Sequence, residues 1–231
     1  MELYYDFHIH SALSPCADVD MTPCNIANMS ALKGLNAISV CDHNSGANLR
    51  AVAAAARKAG VLFMPGIELT TAEEVHLLAY FEDLDAACAL GDAVYQALPD
   101  IPNNEAYFGI QLVMDENDEI TGNLEKLLLS ALPYSLEECV QMVRRHGGAA
   151  VPAHINRESN SILANLGFMP QTVQFNTIET IKNIDAPGVD LTAYQLLHSS
   201  DAHMLCDISE QENFLIVKKP TIYNIFLSII K

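Results

Sequence analysis

Leu3-Tyr4-Tyr5-Asp6-Phe7-His8-Ile9-His10 is a short apolar and aromatic run that ends in two histidines two residues apart. On a strand, that spacing puts both imidazoles on the same side. The plan recurs along the chain. Residues 37–41 lead into Asp42-His43, residues 61–67 lead into Glu68, residues 75–81 carry His76, and residues 149–153 lead into His154. A last run, 194–199, is followed by Asp201-Ala202-His203, so six of the eight histidines belong to this set of motifs.

Helical segments separate these runs. Thr22-Pro23 opens one, proline suiting the first helical position, and Gly34 follows its last apolar residues. Residues 47–59 are alanine-rich and stop at Gly60, and residues 85–98 stop at Pro99. Residues 135–146 begin with Ser135, Glu137 and Glu138, an N-cap with an acidic first turn. Residues 160–166 read as a short helix, 173–181 as a strand, and 222–230 as a docking helix too short to span a bilayer. Alternation of this kind predicts parallel βα units. In a βα barrel the positions just after the strands converge on one open face. Residues 100–133 break the rhythm, with one expected strand at 108–114 and one expected helix at 124–132, and are read as an insertion at the barrel rim. Within it, residues 115–119 resemble the start of a calcium loop, but Ile120 stands where glycine is needed and Lys126 where glutamate is needed.

The 231 residues suit one α/β domain spanning 1–231, half of it hydrophobic. The 12 basic and 29 acidic residues give a formal charge of −17, which argues against duplex nucleic acid or an anionic membrane as partner. A small phosphorylated metabolite is the expected partner instead, because bound cations reverse the field locally. The six cysteines form no Cys-x-x-Cys pair, and the N-terminus opens without a basic region. The expectation is a cytoplasmic protein with reduced thiols; oligomeric state stays open.

Neutral imidazoles and carboxylates drawn from distant segments suit two or three divalent ions, with Zn, Mn or Fe all compatible. Asp6 and Asp42 are expected to orient ligating rings rather than touch metal. Arg157, three residues beyond His154, is the candidate for a bidentate phosphate contact, with Asn44 and Asn156 as further substrate-binding candidates. His146 precedes Gly147-Gly148 at a helix end and reads as structural, while His198 stays between core and support roles.

On Asp6-Phe7-His8-Ile9-His10-Ser11, Val40-Cys41-Asp42-His43-Asn44, Pro65-Gly66-Ile67-Glu68, His76, Pro152-Ala153-His154 and Ser199-Ser200-Asp201-Ala202-His203, the chain resembles the PHP (polymerase and histidinol phosphatase) family of metal-dependent phosphoesterases. The resemblance implies a distorted seven-stranded βα barrel. It implies a first metal on His8, His10, Glu68 and Asp201, and a second on Glu68, His76 and His154. A third would sit on His43, His203 and one residue of the loop after His10. Aligning that loop on Pro23 selects Asp18, and counting forward from His10 points near Pro15 and Cys16. The family's chemistry implies hydrolysis of a small phosphomonoester, a nucleotide or a histidinol-phosphate-like metabolite, by a metal-activated hydroxide, with Glu68, Asp201 and Arg157 at the reacting centre. Two alternatives are a metal-containing ligand-binding or sensing module without turnover, and an amide-bond hydrolase at the same centre.

Overall fold

In the computed structural model, which describes residues 1–230, the first apolar run forms strand β1 (Glu2–Ile9). Helix α1 (Pro23–Leu32) follows, with the Thr22 side chain capping it through the Asn25 N–H. Then come β2 (Ala37–Val40), α2 (Leu49–Ala59), β3 (Leu62–Phe63), β4 (Gly66–Thr70), β5 (His76–Tyr80) and α3 (Leu84–Ala97). Residues 61–67, expected as one strand, are split because Pro65 has no N–H to give a ladder. As a result Glu68 lies inside a strand rather than after one. The chain continues through α4 (Glu105–Phe108), β6 (Leu112–Met114), β7 (Ile120–Asn123) and α5 (Leu136–Arg145), the last opened by a Ser135–Glu138 capping box. It ends with β8 (Ala149–Pro152), α6 (Ile162–Leu166), β9 (Thr177–Glu179), β10 (Gln195–Leu197), β11 (Phe214–Ile216) and α7 (Ile222–Ile230).

The fold is mixed α/β, and among the described residues its ladders form four sheets. β1, β2 and β3 are parallel neighbours, with β11 antiparallel on the free edge of β1. β9 and β10 are also parallel. β4, β5 and β8 form an antiparallel sheet, and β6–β7 is a hairpin. The expectation of parallel units throughout fails at β4–β5 because only residues 71–75 join them. A parallel crossover needs about a dozen residues or more. Single bridges link the sheets: Ile9 to Ala202, His43 to Glu68, and the Ile155 N–H to the Glu179 carbonyl at 2.9 Å.

Side-chain alternation decides what faces the middle. Leu3, Tyr5 and Phe7 pack in a central cluster with Leu78, Tyr80 and Val151, whereas Ile9 packs outward under α1 and α2. The change of side coincides with a register shift between Asp6 and Ile9, as a bulge produces. It leaves His8 and His10 facing inward. On β4, Ile67 and Leu69 pack outward against α3, so Glu68 between them faces inward. Burying each of those aliphatic side chains stabilises the fold by about 2 kcal/mol and fixes the polar residues between them. From α7, Ile225, Phe226 and Ile229 fill the other end of the central cluster, near the start of β9, where the Thr177 hydroxyl donates to the Ile229 carbonyl.

The insertion is tied down along its length rather than helical over 124–132. Its backbone groups find partners elsewhere: Leu124 N–H on the Gln111 carbonyl, Leu127 N–H on Ile101, and Leu132 N–H on Thr70. Asn44 and Gln111 side chains hold Leu128 from both its carbonyl and its N–H. Helix propensity loses to tertiary hydrogen bonding here. The expected solvated turn at 115–119 is the β6–β7 connection, and its Asp118 accepts from the Cys24 N–H and the Thr22 hydroxyl at the start of α1. All six cysteines are free. Among the described residues no helix is long and apolar enough to cross a membrane.

Candidate metal centre

Glu68 is the hub. It is fully buried, and five imidazoles face its carboxylate. Oε1 lies 2.8 Å from His76 Nδ1 and 3.4 Å from Nε2 of both His8 and His154. Oε2 lies 3.1 Å from His43 Nδ1 and 3.4 Å from His10 Nε2. Asp201 Oδ1 approaches His10 Nε2 at 3.1 Å and His8 Nε2 at 3.3 Å. His203 Nδ1 is 3.8 Å from the same oxygen. The structure thus brings His8, His10, His43, Glu68, His76, His154, Asp201 and His203 to one place.

These short separations are not a satisfied hydrogen-bond network. Both Glu68 oxygens, Nδ1 of His43 and His76, and both nitrogens of His154 are buried without a hydrogen-bond partner. An unpaired buried carboxylate costs several kcal/mol, and natural proteins offset it with a cation or a well-aligned donor. Three clusters each gather ligand atoms within 4.8 Å of one another: His8, His10 and Asp201; His43, Glu68 and His76; and His10, His43 and His203. The donor set therefore fits divalent metal ions.

The charges agree with that reading. Burial alone would raise the Glu68 carboxyl, but His76, His8 and His43 hold it well below the usual carboxylate range. Asp201 is likewise lowered, its burial outweighed by His8 and His10. Burial lowers His10, yet Asp201 and Glu68 raise it to about 9. His43 also reaches about 9, with Glu68 overcoming burial. Burial brings His203 down to about 4, with His10 adding to the effect.

Supporting residues set the ring orientations. Asp42 accepts from the Ser11 N–H at 2.8 Å, the Ser11 hydroxyl at 2.6 Å and the Ser14 hydroxyl at 2.7 Å. Ser14 Oγ in turn meets His10 Nδ1 at 3.0 Å. Asp42 thus reaches an imidazole through a serine. Asp6 touches no ring; it accepts from the Ser200 N–H and hydroxyl and from the Ser209 N–H, holding the loop that carries Asp201. Glu179 escaped sequence reasoning, although it is the one charged residue in the run 173–181. Its Oε2 meets His8 Nδ1 at 2.9 Å and accepts from the His154 N–H at 3.0 Å. Left-handed backbone at His154 (φ 27°) and Asp201 (φ 53°) marks strain concentrated at the site.

Three expected site residues do not join the cluster. Asp18 is exposed, its carboxylate accepts from the Asp20 N–H, and its own N–H donates to the His203 carbonyl. Cys16 instead lines the mouth. The Asn44 amide is consumed by the Leu128 and Ser130 carbonyls and the Thr70 N–H. The Asn156 amide is consumed by the carbonyls of Ile181 and Ile184 and the Ile181 N–H. Both amide hydrogens of each are thus spent on backbone groups, so neither has a donor left for a phosphoryl oxygen. Arg157 is at the site, its Nη1 donating to Asp201 Oδ2 at 2.7 Å with 43% of the side chain exposed. This ion pair stands between two cavities, one of about 280 Å³ over the imidazoles and one of about 220 Å³ over Glu179, Thr180 and Ser199. His146 meets the Met142 carbonyl at the end of α5, and His198 meets Thr180.

No protein-family model matches the chain. A 67-residue stretch, 29% of this chain, is 30% identical to the 5'-3' exoribonuclease of Haemophilus influenzae and covers 23% of that protein. Endonuclease Q of Pyrococcus furiosus superposes on 99% of the chain with a TM-score of 0.73 at 20% identity, over 56% of its own length. A two-domain protein of Bacteroides vulgatus containing a predicted PHP-like metal-dependent phosphoesterase matches with a TM-score of 0.58 at 17% identity, covering 99% of this chain and 62% of that one. A protein of Bifidobacterium adolescentis named as a metal-dependent phosphoesterase matches at 0.62 and 16% identity, over 98% and 96% of the two chains. The chain thus spans about half of endonuclease Q and under a quarter of the exoribonuclease.

One expectation is overturned here. Net charge argued against duplex nucleic acid and for a small metabolite, yet endonuclease Q has been captured with a 27-mer duplex carrying an abasic lesion at its active site, in the same fold. Charge summed over a whole chain says little about a local site. Screening confines exposed charges to about 10 Å, and bound cations set the sign nearby. The chain shares its fold with endonuclease Q and with the protein that contains the predicted PHP-like metal-dependent phosphoesterase.

Proposed function

We propose that this chain is a metal-dependent phosphoester hydrolase of the PHP superfamily, acting on phosphodiesters of nucleic acid. The observation that carries the reading is Glu68: a fully buried carboxylate, without a hydrogen-bond partner on either oxygen, ringed by five imidazoles. Zn, Mn or Fe suits such a donor set. His8, His10 and Asp201 would hold one cation. Glu68 would bridge from these toward His43, His76 and His154, each of its oxygens meeting rings of both groups. Divalent ions held there would supply Lewis acidity, activating a water and polarising the phosphoryl oxygens.

The chain's own residues do the rest. Asp201 divides its oxygens, Oδ1 toward His8 and His10 and Oδ2 toward Arg157. Arg157, half exposed where the two cavities meet, is placed to share its guanidinium between Asp201 and a phosphoryl oxygen. Asp42, through Ser14, and Glu179 fix the His10 and His8 rings before any substrate arrives, so little reorganisation is left for the reaction. The ligand set closes around one interior and joins strands that only single bridges connect, which supports the distorted seven-stranded barrel expected for this superfamily.

Two independent likenesses favour nucleic acid, one in sequence to an exoribonuclease and one in fold to a lesion-specific endonuclease. The test is hydrolysis of three substrates: single-stranded RNA, a duplex with one abasic site, and a chromogenic phosphodiester. Each is assayed with Mn, Zn and Fe(II). Metal-dependent cleavage that disappears in the His8→Ala/His10→Ala double variant is expected. Equal rates for the variant and the natural chain would refute the reading.

A further inference from the structure

We propose that Cys16 is a metal ligand, supplying a thiolate to the cluster formed by His10, His43 and His203. This rests on the metal-dependent reading above and deepens it. Sequence alignment alone selected Asp18 for the same role, and the fold separates the two residues.

The loop holding Cys16 is fixed from several sides. Ser14 bonds both Asp42 and His10, and the Asp18 N–H donates to the His203 carbonyl at 2.8 Å. The insertion presses on it as well. At Gly109, with φ of 99°, an added Cβ would lie 2.1 Å from the Pro15 carbonyl, so the two backbones are in direct contact. Held this way, the loop places Cys16 in the wall of the cavity that also contains His43, Glu68 and His203. Asp18 faces solvent and spends its carboxylate on the Asp20 N–H.

A cysteine at a cavity wall is not in itself a ligand. What points to one here is the opposite wall. His43 Nδ1 and both oxygens of Glu68 are buried, have no hydrogen-bond partner, and open into the same cavity. The cluster of His10, His43 and His203 has three donors within 4.8 Å of one another. Divalent transition ions take at least one further ligand. Cys16 is the one thiol on the loop between His10 and α1, and it lines this cavity. Coordination would form a metal–sulfur bond, with the thiol proton passing to solvent. A thiolate also biases this position toward Zn, Fe(II) or Co(II) and away from Mg or Mn.

The experiment loads the full chain with Co(II). It reads metal content and the near-ultraviolet sulfur-to-cobalt charge-transfer absorption, which needs a coordinated thiolate. The natural chain is expected to show the band. Cys16→Ser is expected to lose it and to bind its weakest cobalt equivalent more than about tenfold less tightly, tenfold being the lower bound for loss of a partner outside the ligand set. Asp18→Asn is expected to keep both. Cys16 is exposed, so its serine variant should fold, and circular dichroism checks this. Bound cobalt with no band, or a band that survives in Cys16→Ser, overturns the assignment while leaving the hydrolase reading intact. Failure of the natural chain to bind cobalt at all overturns both.

Discussion

Replacing Glu68 with glutamine removes one negative charge and almost no volume from a site with no exposure to solvent. The structure fixes what should follow. Oε1 faces His8, His76 and His154, while Oε2 faces His10 and His43, so the carboxylate serves two ligand groups at once. Loss of even a supporting partner costs a metal site about 10–100-fold in affinity. Two sites each losing a direct ligand should therefore lose about 10²–10⁴ in combined affinity, or about 2.7–5.5 kcal/mol. For the natural chain, metal at about 1,000 times Kd stabilises the folded state by about 4 kcal/mol. In a domain of this size that raises Tm by about 8–16 °C. At the same metal concentration a site weakened about 10–100-fold contributes only about 1.4–2.7 kcal/mol, so Glu68→Gln should retain about one third to two thirds of this increment at each site. The assay is thermal unfolding with and without Zn or Mn, followed by circular dichroism. A variant that keeps the full increment would show that Glu68 does not bridge cations, and the reasoning from its orphaned oxygens would fail.

Three further outcomes follow from the geometry. His10 and His43 hold protons up to about 9 because Asp201 and Glu68 outweigh their burial, so at about pH 7.5 metal capture must expel those protons. Metal affinity should then rise with pH and level off above about 9; calorimetry in two buffers of different ionisation enthalpy measures the release, and none between pH 6 and 8 would contradict it. Asp42→Asn loosens Ser14 and through it His10, and should weaken one metal by about 10–100-fold, read by competitive chelator titration. Arg157→Ala should leave metal content unchanged while phosphodiester hydrolysis falls by about 10²–10³, a separation that steady-state kinetics and elemental analysis together would reveal.

The eight clustered residues were legible because each stands within a strand or a few residues past the end of one, where topology leaves little freedom. His8, His10, Asp201 and His203 could be placed from two short motifs nearly the whole chain apart. What the sequence hid depends on partners. Glu179 is one acid in an apolar run, and only the fold puts it 2.9 Å from His8. Asn44 and Asn156 looked available because they follow ligands, but their amides are spent on backbone groups of residues that sequence distance does not reveal. The helix expected over 124–132 dissolved for the same reason, its backbone finding partners in Ile101, Gln111 and Thr70. The antiparallel sheet around β5 was missed because run-and-helix alternation says nothing of strand direction where a connection is only residues 71–75 long. Loop alignment picked Asp18 over Cys16 by anchoring on Pro23, when the turn between them is set by contacts to Pro15 and His203.

The most direct test is an anomalous-scattering map, collected at the metal's absorption edge from crystals grown with Zn or Mn. At least two peaks are predicted, about 2.0–2.2 Å from ligand atoms of Glu68 and of the His8, His10 and Asp201 group. A map with no peak among these residues, with the Glu68 oxygens paired instead to protonated histidines, would contradict the account.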